Sequence, residues 1–160
     1  MKPHLRNACL GVLTSISLLL APQSASGHGQ AKGIVLERHN LMVDIRDANK
    51  VIRNMARRRM ELNKSELKRN AEIIVKASKE MLRMFPDTEA SRHGKGSNAK
   101  QKIWSDFEQF SRWNERMGAR AVELRDASDS VTPALLKSKH QALGKTCAGC
   151  HKVFRAKKGH

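Results

Sequence analysis

A chain of 160 residues with 31 Lys and Arg against 15 Asp and Glu carries a formal net charge of +16 at pH 7. Aromatic residues make up 4% and Tyr is absent, which leaves few base-stacking platforms and argues against nucleic acid as the partner of that charge. The length suits one domain with one core, and a surface this basic serves solubility, steering toward acidic proteins, or both.

The chain opens with Lys2 and Arg6, an apolar run from Ala8 to Leu20 and the small-residue stretch "APQSASG", the layout of a secretory signal peptide. That run falls short of the roughly 20 residues a bilayer-spanning helix needs, and no later segment is apolar enough to span. Residues 1–26 are therefore expected to be cleaved, leaving 27–160 as a mature periplasmic domain with no integral membrane segment. Loss of Lys2 and Arg6 lowers the net charge to +14, and Cys9 departs with the signal, so two cysteines remain.

Ile34, Leu41, Met42, Ile45, Ala48, Ile52 and Met55 recur at helical spacing and predict a first helix ending near the solvated "RRR" of 57–59. Asn63 and Glu66 have the N-x-x-E form of a cap, and Leu67, Ala71, Ile74, Ala77 and Met81 continue as a second helix that Pro86 must end. The stretch "DTEASRHGKGSNAK", residues 87–100, lacks periodicity and reads as loop, and its glycines are not at phosphate-cradling spacing. From Asn98 a third stripe runs through Ile103, Phe107, Phe110, Met117, Ala121 and Leu124. "DASDSVTP" then offers cap residues and a proline near a helix start. A fourth stripe holds Leu136, His140, Leu143, Cys147, Cys150, His151 and Phe154, and no window alternates as a strand. The fold class that follows is all-α, an antiparallel four-helix bundle.

The fourth stripe ends in "CAGCHKVFR", which puts Cys147, Cys150 and His151 at i, i+3 and i+4 on one helical face. C-x-x-C-H is the attachment signature of c-type haem: two thioethers fix the macrocycle and the histidine reaches its iron. Gly149 adds no side chain where the ring must lie close. Other occupations of the same residues exist. A disulfide would enclose a tiny loop and stabilise little. A structural zinc would need a fourth ligand, for which His140 is the obvious candidate. A thioredoxin-like dithiol belongs to a βαβ unit, of which there is no sign. One covalent haem c is the expectation. No paired carboxylates or Ser/His/Asp set emerges, so the chain is not expected to be an enzyme.

With "MFPD" and "KIWSDFEQF" ahead of it in an exported four-helix pattern, the C-terminal "CAGCHKVFR" resembles the class II cytochromes c, the cytochrome c-prime family, over essentially the whole mature chain. The resemblance implies haem held by the fourth helix with His151 as proximal ligand, covered by the first helix, often in a homodimer. It also implies an arginine on the first helix followed four residues later by the residue facing the distal side of the iron. Within "GIVLERHNLMVDI" these are Arg38, expected near the haem propionates, and Met42. His39 beside them is expected to touch the haem edge, and Arg155 matches a basic position on the proximal side. The resemblance also brings the "IW" of Ile103 and Trp104 toward the haem.

The family divides on the distal residue. A methionine sulfur on the iron gives a six-coordinate, low-spin electron carrier, whereas a side chain too bulky or too distant leaves a five-coordinate centre that takes small gases. "RHNLM", "MFPD" and "SNAKQKIW" look more like the low-spin members, although Met42 also sits where a core methionine would simply fill space. The expectation is a periplasmic electron carrier with His151 and Met42 on the iron and acidic redox partners. The alternative is a five-coordinate protein binding nitric oxide or carbon monoxide.

Overall fold

The computed structural model describes residues 31–157, so the expected signal peptide with its Cys9 lies outside the described residues. Along the chain run α1 (Gly33–Ala56), α2 (Lys64–Met81), two short helices α3 (Glu89–His93) and α4 (Lys102–Ser105), then α5 (Phe107–Ala127) and α6 (Pro133–Phe154). The four long helices form an antiparallel bundle. No strand forms among the described residues, and the backbones of Ala99 and Arg155 meet in an isolated antiparallel bridge.

Local chemistry sets where the helices begin and end. The Asn63 side chain accepts from the Glu66 N–H at 3.0 Å, satisfying one of the orphan donors at the start of α2 as the N-x-x-E pattern predicts. Thr132 does the same for the Leu135 N–H at 3.2 Å, with Pro133 in the first turn of α6. α1 stops where Arg58 takes a left-handed backbone with φ 55° and donates its N–H to the Met55 carbonyl. α2 tightens into a 3-10 turn at Leu82–Met84 before Pro86.

Two stretches depart from the sequence reading. The third stripe is not one helix: Asp106 adopts φ −144° and ψ 53°, and its carboxylate caps the Gln109 N–H, so α4 ends and α5 begins afresh. The break rotates Phe107 outward, to 39% exposed, while Ile103 and Phe110 on either side stay buried. The segment read as loop contains α3, which opens where the Thr88 hydroxyl accepts from the Ser91 N–H.

Packing around the bundle is uneven. α2 and α5 meet most closely and α1 and α6 least. Leu67, Ala71 and Ile74 of α2 and Ala121 and Leu124 of α5 are all 0% exposed, each large side chain contributing about 1.5–3 kcal/mol by its removal from water. Small residues allow the approach: a methyl group at Gly118 would stand 2.7 Å from the Ser78 hydroxyl. Buried Asn114 donates to the Ser78 carbonyl at 2.8 Å, locking the two helices in register. No described helix is long and apolar enough to cross a membrane.

Candidate functional site

Between the loosely joined α1 and α6, above α5, lies a cavity of about 520 Å³, within the size range of cofactor pockets. Cys147, Cys150 and His151 of α6 line it together, as the i, i+3, i+4 spacing requires. Arg38, His39 and Met42 of α1 line it too, and Arg155 stands at its edge just past the end of α6. Every site residue named from the sequence therefore borders one space. His140, the fourth zinc ligand considered above, is not among its lining residues. Among the described residues no three His, Cys, Asp or Glu side chains converge as metal ligands, so the zinc alternative lacks its donor set.

Both cysteines are half-buried free thiols. Burial pushes both above the usual thiol range, and Cys150 is pushed up to about 11 by burial first and then by Cys147. Thiols held protonated in this way are poor thiolate nucleophiles and poor thiolate ligands. Burial, and after it the neighbouring Arg155 charge, holds the His151 imidazole below its ordinary value, which favours the neutral form that can bind a metal.

Arg38 is 6% exposed and donates to the carbonyls of Met84 and Ser91, at 3.4 and 3.3 Å, and to the hydroxyls of Ser91 and Ser97, at 3.5 and 3.0 Å. Its guanidinium also lies 4.5 Å from the Phe85 ring centre. It thus fastens the segment after α2 to α1. All of these partners are neutral, and burial lowers its pKa with no carboxylate to offset it. A buried cation without a counter-charge is costly, and a carboxylate delivered by a bound group would relieve that cost. The Asn114 and Asn49 side-chain oxygens, on two further lining residues, are buried with no hydrogen-bond partner in the protein.

The apolar end of the cavity is aromatic. The rings of Phe85 and Phe110 meet edge to face at 4.7 Å, and Phe110 meets Phe154 at 5.4 Å. Trp113, which the sequence reading passed over, also lines the cavity and corrects the account of Gly149. A methyl group at Gly149 would stand 2.3 Å from the Trp113 indole, so the glycine makes room for that ring across the α5–α6 seam. Trp113 follows Phe110 by three residues and precedes Met117 by four, so the helical stripe could have found it. Of the "IW" pair, Ile103 reaches the cavity, while the Trp104 indole N–H donates outside it to the Pro86 carbonyl at 3.1 Å.

The sequence profile of the Cytochrome C' family matches residues 33–155, from the first turn of α1 to the basic residue after α6. The chain belongs to the cytochrome c' family. Members of the family carry one covalent haem c, and so does this protein. Cytochrome c' of Rhodospirillum rubrum is 42% identical over 60 residues, 38% of this chain and 41% of that protein. Cytochrome c-556 of Agrobacterium tumefaciens is 34% identical over 74 residues, 46% of this chain and 60% of that protein. The matched stretches thus span less than two thirds of either relative. Among solved structures, cytochrome c' from Rhodopseudomonas palustris superposes with a TM-score of 0.71 at 25% identity, covering 80% of this chain and 99% of that one. A variant of cytochrome c prime from Alcaligenes xylosoxidans, in the ferrous state with bound NO, shares the fold with a TM-score of 0.68 at 20% identity, over 78% of this chain and 94% of that one. These relationships reach the family; they give no support to the narrower six-coordinate, low-spin subgroup expected from the sequence.

Proposed function

We propose that the chain is a periplasmic haem c protein that admits a small gas, nitric oxide or carbon monoxide, on the side of the haem facing α1. Cys147 and Cys150 are its thioether anchors and His151 its proximal ligand. The observation that carries this reading is the cavity that α1 and α6 share, with Met42 and His39 on one wall and the C-x-x-C-H face on the other. When bound, the haem would supply one-electron chemistry and a metal able to take a small ligand.

The chain's own residues have distinct tasks. His151 presents its imidazole from α6, and Cys147 and Cys150, on the same helical face, present the two sulfurs to the macrocycle edge. Arg38 offers a buried positive charge to a propionate. Phe85, Phe110, Phe154 and Trp113 keep water from the apolar end of the cavity. Met42 packs, half-buried, against the core cluster beside Leu41, which is the role that leaves the distal position to a gas. His39 borders the same wall and Arg155 the rim.

A second reading keeps Met42 as the sixth ligand and makes the protein an electron carrier for acidic redox partners. Its support is that Met42 lines the same cavity as His151. Absorption spectra of the haem-loaded protein, oxidised and reduced, with and without carbon monoxide, separate the two. A high-spin spectrum that shifts with the gas supports the first; a low-spin spectrum indifferent to it overturns the first in favour of the second. The homodimer suggested by the family resemblance belongs to both readings, and sedimentation of the mature protein tests it.

A further inference from the structure

The fifteen acidic residues all lie within 37–89 and 106–129, so 90–105 and 130–160 contain none. These two acid-free segments, far apart in sequence, are joined in space. Ala99 and Arg155 form the antiparallel bridge, the Lys100 N–H donates to the Phe154 carbonyl at 2.9 Å, and the Ala156 N–H donates to the Asn98 carbonyl at 2.8 Å. The Lys100 ammonium reaches the Lys152 carbonyl at 3.4 Å, which holds the two lysines side by side. Gly96, Ser97, Asn98, Arg155, Ala156 and Lys157 border the cavity, so the joined segments form part of its mouth.

Lys95, Lys100, Lys152, Arg155 and Lys157 thus cluster there, and all but half-buried Lys100 are exposed. Elsewhere carboxylates are interspersed with the cations, and Lys68, Arg69, Arg83, Arg112 and Arg120 each meet one. None of the five rim cations meets one among the described residues. Concentrated charge of one sign opposes folding through self-repulsion and speeds encounter with a surface of the other sign.

We propose that this rim docks an acidic face of another protein over the cavity mouth. The inference rests on the reading that the cavity holds the haem, which would then lie next to the docked partner. Gly96, Ser97, Asn98, Ala99 and Ala156, which lie between the cations, are small, so a folded surface can approach closely. They also lack the large apolar side chains that anchor basic segments in a lipid interface.

The test uses haem-loaded protein, with poly-L-glutamate as the acidic probe and phosphatidylglycerol vesicles as the competing one. A rim variant carries Lys100→Glu, Lys152→Glu and Lys157→Glu. A control variant of equal charge change carries Lys50→Glu, Lys76→Glu and Lys79→Glu on α1 and α2. The rim variant is expected to bind poly-L-glutamate about tenfold or more weakly at low salt, and the control within about threefold of the parent. Equal losses in both variants overturn the proposal, because net charge alone would then explain binding. Rim-dependent binding to vesicles without rim-dependent binding to poly-L-glutamate overturns it in favour of a membrane surface. The haem absorption of the parent and of each variant is recorded alongside: a folded Cys147→Ala, Cys150→Ala variant of the parent that still holds covalent haem counts against the cavity reading, while retained haem with unchanged binding in the rim variant counts against the rim alone.

Discussion

The α2–α5 seam and the α1–α6 seam are built from helices of similar length and do opposite things. The first brings together side chains that are 0% exposed, with Gly118 and two alanines letting the backbones close in. The second stays parted around a cavity of about 520 Å³ whose wall on α1 mixes buried Val35, Arg38 and Ile45 with half-buried His39 and Met42. A bundle can carry a large prosthetic group because one seam supplies the stability and the opposite seam is left unfilled.

The largest effect falls on the open seam. Replacing Cys147 and Cys150 together by Ala should abolish haem that survives denaturation on a gel, while helical circular dichroism persists through the closed seam. Covalent haem in the double variant would end the attachment reading. Next, truncation should divide the two seams. Leu124→Ala is expected to cost about 3 kcal/mol in urea unfolding, within the usual 2–5 for a fully buried leucine, and Met42→Ala less than about 1.5 kcal/mol. Equal costs would erase the distinction.

Gly149→Val probes the border between the seams. Its new side chain meets the Trp113 ring and should cost about 1–3 kcal/mol, much of it recovered when Trp113→Leu is added. The smallest effect concerns pH. Burial, followed by the charges of Arg57 and Arg53, lowers the His140 pKa from 6.5 in the folded chain. The unfolded chain then binds the proton more readily. His140 therefore contributes stability above about pH 6.5 that is lost as the pH falls below it toward the lowered folded value. His140→Gln should flatten that part of a melting-temperature profile.

Much of the molecule was legible in the sequence because period and cap chemistry are local. The four stripes, the Asn63 cap, the stop before Pro86 and the shared face of Cys147, Cys150 and His151 needed no distant partner. The Asp106 break was hidden because the apolar pattern runs across it almost in phase. α3 is a single turn, too short for periodicity to register. Arg38 was read toward the haem, yet its hydrogen bonds to Met84, Ser91 and Ser97 depend on a fold-back that no local pattern encodes. Gly149 was read against the ring for the same reason: the indole that occupies its space comes from another helix.

The bridge between Ala99 and Arg155 also bears on motion. The mouth of the cavity is tied by two backbone hydrogen bonds between the 98–100 segment and the C-terminal end of α6, whereas separating α2 from α5 would expose the buried core. Opening at the mouth therefore has its own low free energy, independent of global unfolding. Amide protons of Lys100 and Ala156 should exchange with solvent well before that of Ala121. A small molecule could then reach the interior during such excursions while the bundle stays intact.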